Sequence, residues 1–328
     1  MRVRRRHFLA GAFGLPFIGT GRAQGQNPLK PLEIGFVYEG ITPAGAVRAK
    51  AFQEGLRSKG YDEGRNIVTL IRNAESRPEQ FEPLVRELVQ RDVKVLVAIG
   101  PAMVRLANAA TRTIPIVALD LESDPVKDRL VQNIARPGAN LTGMFFDFPD
   151  FARKWLQLLT EAVPNLSRLT VFWNKSTGEY QMDAVSDEAR ARRISIQIVT
   201  VESPTDFQPA FVAATGNKAD ALLVLSSPLF GTNPKLIADL AIQHRLPAIM
   251  FYPEFGRVGG LLAYGTNLID LFFQVGVLVA KILDGEQPAT LPVERPSRFQ
   301  LVANLKTAAL LGVTMPTSIL LRADEVIE

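Results

Sequence analysis

Short apolar runs alternate regularly with longer helical stretches in this 328-residue chain, and that alternation restricts its fold more than any other feature. Strands are expected at residues 32–38, 66–72, 93–100, 114–120 and 140–146. Helices are expected between them at 44–59, 78–90 and 102–111, with a short helical turn at Asp124-Pro125. The first helix groups Ala46, Val47, Ala49, Phe52 and Leu56 on one face, and Gly60 and Gly64 close it. A second series adds helices at 149–163, 178–193, 206–215 and 233–244, and strands at 168–173, 195–201, 221–225 and 248–251. Val258-Gly259-Gly260-Leu261-Leu262-Ala263 then opens a further strand, Tyr264-Gly265-Thr266-Asn267 makes a turn, and 270–283 is a long apolar helix. Strands and helices in this order mean α/β architecture with parallel sheets and right-handed crossovers. No linker rich in Pro, Gly or Ser separates the two series, so two similar lobes with a cleft between them fit better than tandem domains.

The first residues read as an export signal. Arg4-Arg5-Arg6-His7-Phe8-Leu9 is a basic head resembling a twin-arginine signal, residues 8–18 are apolar, and Gly21-Arg22-Ala23 is a small-x-small cleavage site. The apolar part is too short to span a bilayer. Residues 1–23 hold five of the 37 basic residues and none of the 33 acidic ones. Cleavage after Ala23 would leave 32 against 33, a net charge of about −1 instead of +4. No basic stripe then remains for a nucleic-acid partner. The absence of cysteine excludes disulfides and a lipid-bearing N-terminal cysteine, so the expected product is a periplasmic protein with no lipid anchor. In a chain 47% hydrophobic, about 300 residues suffice to build two cores.

Histidine is almost as scarce. Beyond the signal only His244 remains, at the end of the helix 233–244, where a cation favours the negative pole of the helix dipole. A cysteine nucleophile or a zinc site of the usual kind cannot be built, and a Ser-His-Asp triad would need His244 itself. No Gly-x-Ser-x-Gly elbow and no phosphate-binding Gly-x-x-x-x-Gly-Lys-Ser/Thr loop is present. The expectation is therefore no catalytic residue, no metal and no cofactor.

Parallel sheets bind ligands beyond the carboxyl ends of their strands. That geometry selects Tyr38 and Glu39, Gly100 and Pro101, Asp120 and Leu121, Trp173 and Asn174, Ser226 and Ser227, Tyr252 and Glu254, and Tyr264. Helix N-termini at Ala102 and near Asn233 would offer free N–H groups to a carboxylate. Each single position also has a bland reading: Asp120 or Asn174, for instance, can simply cap a helix. Tyr264, before a glycine turn, is expected to pack against the ligand.

Gly55-Leu56-x-x-x-Gly60-Tyr61-x-Glu63-Gly64-x-Asn66-Ile67, Ile114-Pro115-Ile116-Val117 and Asp124-Pro125-Val126 form a recognisable set. Ala135-Arg136-Pro137-Gly138-Ala139-Asn140-Leu141-Thr142-Gly143, Trp173-Asn174 and Ala219-Asp220-Ala221-Leu222-Leu223-Val224 extend it. The tail Asn304-Leu305-Lys306-Thr307-Ala308 through Arg322-Ala323-Asp324-Glu325-Val326-Ile327 completes it. Together they resemble the ABC-transporter substrate-binding proteins related to the tryptophan/tyrosine uptake system, over essentially the whole chain after the signal. The resemblance implies a type I periplasmic-binding-protein fold: two Rossmann-like lobes with three crossing segments, near Phe146, Tyr252 to Gly260 and Leu291 to Arg298. Lobe 1 would hold 31–146 plus 262–290, with the helix 270–283 returning to it, and lobe 2 would hold 147–261 plus 291–328.

The resemblance also implies a monomer that closes over a small molecule and presents it to an inner-membrane ABC permease with its ATPase. Its first ligand expectation is an aromatic amino acid. Three departures bear on that expectation. Ile99-Gly100-Pro101-Ala102 lacks a hydroxyl found in relatives, Ser226-Ser227-Pro228 lacks an acid, and Asp120-Leu121-Glu122-Ser123 replaces small residues. A periplasmic sensor or scaffold of the same fold is the alternative, and an exported hydrolase a third reading that the lone His244 disfavours.

Overall fold

The computed structural model describes residues 30–40, 45–75 and 77–328; the expected signal, residues 1–23, lies outside them. A first lobe is built from Leu32–Tyr38 (β1), Gly45–Arg57 (α1), Ile67–Asn73 (β2), Phe81–Gln90 (α2), Val95–Ile99 (β3), Pro101–Ala110 (α3), Ile116–Asp120 (β4) and Leu141–Phe145 (β5). Its five strands run parallel in the order β2-β1-β3-β4-β5. β3, β4 and β5 are buried almost throughout because helices cover both faces, so their sequences are continuous apolar runs. In β1 the faces separate with the strand period. Ile34 and Phe36 join the core beneath α1, and Val37 joins the one formed with Val85, Leu88, Met103 and Val104 of α2 and α3.

The second lobe follows with Phe148–Ala162 (α4), Arg168–Trp173 (β6), Tyr180–Ala191 (α5), Ser195–Thr200 (β7), Phe207–Gly216 (α6) and Ala221–Val224 (β8). Pro228–Thr232 (α7), Pro234–Gln243 (α8), Ala248–Met250 (β9), Glu254–Arg257 (α9) and Leu262–Thr266 (β10) continue it. The chain ends with Leu268–Leu283 (α10), Phe299–Asn304 (β11), Leu305–Leu311 (α11), Thr317–Leu320 (α12) and Glu325–Ile327 (β12). The sheet order is β12-β11-β10-β9-β8-β6-β7. All neighbours are parallel except β10 and β11, which run antiparallel.

Two expectations need correction. β10 pairs with β9 and β11, so residues 262–266 belong to the second sheet, and the chain recrosses at 266–268, not before residue 260. α10 and the segment after it, as far as Glu294, return to the first lobe, where α10 packs on α1. Their backbones meet at two glycines: a Cβ on Gly55 would lie 2.1 Å from the Phe273 carbonyl oxygen, and one on Gly276 would lie 2.2 Å from that of Phe52. The apolar face of α1 also divides differently. Phe52 and Leu56 are buried against α10, whereas Val47 is 50% exposed.

The three crossings gather in one place. The third, residues 291–298, lies along β5: Phe145 N–H donates to Glu294 O (3.1 Å) and Glu294 N–H to Gly143 O (2.8 Å). The Thr266 hydroxyl donates to Arg298 O (3.1 Å), joining the second crossing to the third. Phe146 packs edge-on against Phe251 (5.0 Å) and Phe151 (4.5 Å) and reaches Phe299 (6.3 Å), and Arg295 pairs with Asp147. Trp155, fully buried, donates its indole N–H to Tyr264 O (2.7 Å).

Candidate functional site

Between the lobes, beyond the carboxyl ends of β1, β3, β4 and β9, lies a cleft of about 310 Å³. This is where a doubly wound sheet is expected to bind, and the volume suits a small organic molecule. Its first-lobe wall is Phe36 and Tyr38 from β1, Glu39 after it, Ala46, Arg48 and Ala49 from α1, Ile99 and Gly100 at the end of β3, and Leu119, Leu121 and Glu122 at β4. Leu268 and Phe272 of α10 extend that wall, and Pro228, Gly231, Thr232 and Tyr252 close it from the second lobe. Most of the lining is apolar, with charge concentrated in Glu39, Glu122 and Arg48.

Glu39 follows β1 directly, so its carboxylate lies over the start of α3, where Ala102 N–H donates to Oε1 (3.2 Å). This arrangement requires Gly100. Its φ is +91°, and a Cβ there would sit 2.8 Å from Glu39 Oε1. Burial pushes the Glu39 carboxyl up to about 7, with help from the negative charge of Asp120 and against the pull of the Ala102 N–H.

Glu122 reaches across the cleft. The hydroxyl of Ser226, at the end of β8, donates to Glu122 Oε1 (2.6 Å) and lies 3.0 Å from Tyr252 Oη, which in turn donates to Ser227 O (3.0 Å). Gln181 fixes the Ser226 backbone, accepting from its N–H (2.8 Å) and donating to its carbonyl (2.6 Å). Burial and then the charge of Asp120 push the Glu122 carboxyl up to about 8. With Ser226 donating to Glu122 and Tyr252 to the Ser227 carbonyl, both hydroxyl protons of the network are used. Asp120 is fully buried behind this pair, its Oδ1 accepting from the N–H groups of Glu122 and Ser123 (3.0 Å each), and burial raises its pKa too. Arg48 and Glu254 act on each other across the cleft, and Arg48 Nε and Glu254 Oε2 are both buried without a hydrogen-bond partner.

Of the residues selected from sequence, Tyr38, Glu39, Gly100, Leu121 and Tyr252 line the cavity. Ser226 lies directly behind the wall, and Asp120 and Glu254 act from behind it through charge. Pro101 and Ala102 start α3 as expected, but the Ala102 N–H is taken by Glu39. The Ser227 hydroxyl accepts from Phe230 N–H (3.1 Å) and caps α7. Asn174 has the capping role that was its bland reading, accepting from Ser176 N–H (3.1 Å), and Trp173 donates its indole N–H to Gly178 O (2.8 Å).

Tyr264 is a correction. It points to α4, with Phe151 5.6 Å and Phe299 6.2 Å away, and lines a separate hollow of about 270 Å³ beside the crossings. Period-two geometry sends a side chain to one face of a sheet or the other, and the helix overlying that face was invisible in the local motif. His244 caps α8 and stacks on Phe211, away from the cavity. Sequence reasoning missed Arg48 and Glu122 as wall residues. Arg48 sits in the first turn of α1 among small residues with no signal of its own, whereas Glu122 stood out as a departure from small residues at the end of β4. Among the described residues no group of His, Cys, Asp or Glu side chains is placed to hold a metal ion, and no helix is long and apolar enough to cross a membrane.

Residues 42–327 match the sequence model of the family described as ABC transporter substrate binding protein. The chain is similar to a tyrosine-binding protein of Clostridioides difficile (strain R20291), with 24% identity over 260 residues, covering 79% of this chain and 74% of that one. Its fold is similar to that of a conserved domain protein from Vibrio cholerae, with a TM-score of 0.84 and 26% identity, covering 90% of this chain and all of the other. An ABC domain from Streptococcus pneumoniae in complex with L-Trp superposes with a TM-score of 0.83 at 23% identity, covering 91% of this chain and all of that one.

Proposed function

The chain belongs to the family of ABC transporter substrate binding proteins, and from that premise we propose that it captures a small amine-bearing organic molecule in the inter-lobe cavity and delivers it to an ABC importer. The observation that carries this reading is the cavity itself: mostly apolar and walled by residues of both lobes. A ligand held by both walls stabilises the closed arrangement over the open one, and a membrane partner can read that difference. The proposed contacts are Tyr38, Glu39, Arg48, Gly100, Glu122 and Tyr252. Relatives described as binding tyrosine or L-Trp support a ligand with an amino group and an apolar body. Delivery implies an inner-membrane permease with its ATPase and a periplasmic location, which the basic and apolar start of the sequence supports. The protein's part is capture and handover, without catalysis.

A thermal-shift screen against amino acids and simple organic amines tests the reading. A ligand that binds only the folded state raises the melting temperature by mass action, about 2.7 kcal/mol of stabilisation at a hundredfold excess over Kd. The expected result is a saturable rise for at least one compound with an apolar body. No rise across both classes would overturn the proposed ligand class.

A further inference from the structure

The charge layout of the cavity defines its ligand more narrowly. Two helix N-termini face the cleft, and each would be a natural place for a ligand's carboxylate. In each, one N–H is already taken from within: Ala102 N–H by Glu39 at α3, and Phe230 N–H by Ser227 at α7. Arg48 is the one cation among the lining residues, and Glu254 opposes its charge from the other lobe. Against it stand the lining acids Glu39 and Glu122, 8% and 3% exposed, with Asp120 fully buried behind them and one of its oxygens unpartnered. The rest of the wall offers aromatic and branched apolar surface, notably Phe36, Tyr38, Leu119 and Phe272.

We propose that the cleft selects a monocationic amine on an apolar or aromatic body, without a carboxylate, in preference to the corresponding α-amino acid. The ammonium group sits between Glu39 and Glu122, and the body lies against Phe36 and Phe272. This rests on the capture reading above and names the ligand class of the same site. Physically, a carboxylate brought into this cavity meets the two lining acids and a single cation, Arg48, whose charge Glu254 opposes, while an ammonium meets the acids directly. Binding also moves protons. The free carboxyls are held high by burial, so an incoming cation favours their ionised forms and releases protons to solvent. The other charged or titratable groups acting on this pair are Asp120, Arg105, Arg48, Tyr252 and Glu254.

Titration calorimetry on the whole protein with matched pairs decides the matter: tyramine against L-tyrosine, phenethylamine against L-phenylalanine, tryptamine against L-tryptophan. At least one amine is expected to bind tenfold or more tightly than its amino acid. Its enthalpy at pH 7.5 should vary with the ionisation enthalpy of the buffer, in the direction of proton release. Glu122→Gln and Glu39→Gln should each weaken the amine tenfold or more and leave the melting transition cooperative. If either variant does not fold, the amine-to-amino-acid ratio in the unaltered protein still decides. An amino acid binding more tightly than its amine, with loss of that binding in Arg48→Gln, would overturn the inference and leave capture intact. Failure of every compound in the panel would overturn capture of this ligand class as well.

Discussion

Glu122 illustrates what a single residue does here. A carboxyl protonated in the folded chain but ionised in the unfolded one binds a proton that only the folded state holds. Raising the pH between the usual glutamate value of 4.5 and about 8 withdraws that proton and destabilises the fold. Glu39 acts in the same direction up to about 7. The ligand-free protein is therefore expected to melt at progressively lower temperature from pH 5 to pH 8, and Glu122→Gln should flatten part of that slope. An unchanged slope in the variant would mean that Glu122 is ionised in the folded state. Sequence made Glu39 visible as a strand-end position and Glu122 as an oddity, but it could not make them a pair. They come together because β1 and β4 flank β3, an ordering fixed by the crossovers and not by local pattern. Asn174 and Tyr264 show the converse. Both occupy strand positions that the geometric rule selects, yet one is consumed by a local cap and the other by the α4 face.

At the scale of elements, the α1–α10 contact is a tight constraint in the first lobe. The two glycines let the helices approach until a methyl group on either would meet the other helix's backbone, which cannot yield as a side chain can. Gly276→Ala is expected to cost about 3 kcal/mol, read as a lowered urea midpoint with little change in slope. Gly216→Ala, at the end of α6 in open space, is the matched control and should be neutral or slightly stabilising. The strands and most helices were legible because buried parallel strands leave unbroken apolar runs and helices leave a 3.6-residue period. The assignment of β10 was not. A strand that ends one lobe and a strand that begins the next have the same composition, and only the pairing with β9 and β11 distinguishes them.

For the whole molecule, both walls of the cavity are carried on lobes that meet at clustered aromatic crossings. Phe146, 2% exposed, touches rings from α4, from the residue after β9 and from β11. Phe146→Ala should cost about 3–5 kcal/mol, the scale of an emptied aromatic site in a core, measured by chemical denaturation. The antiparallel turn of β11 has a wider consequence. It brings the third connection back beside the other two, so the molecule is bound along one spine like a book and can gape only at the opposite edge. Affinity is written on the facing pages, but the residence time of whatever lies between them is set by how stiffly the binding bends. The spine can therefore retune uptake kinetics without altering a single contact to the cargo.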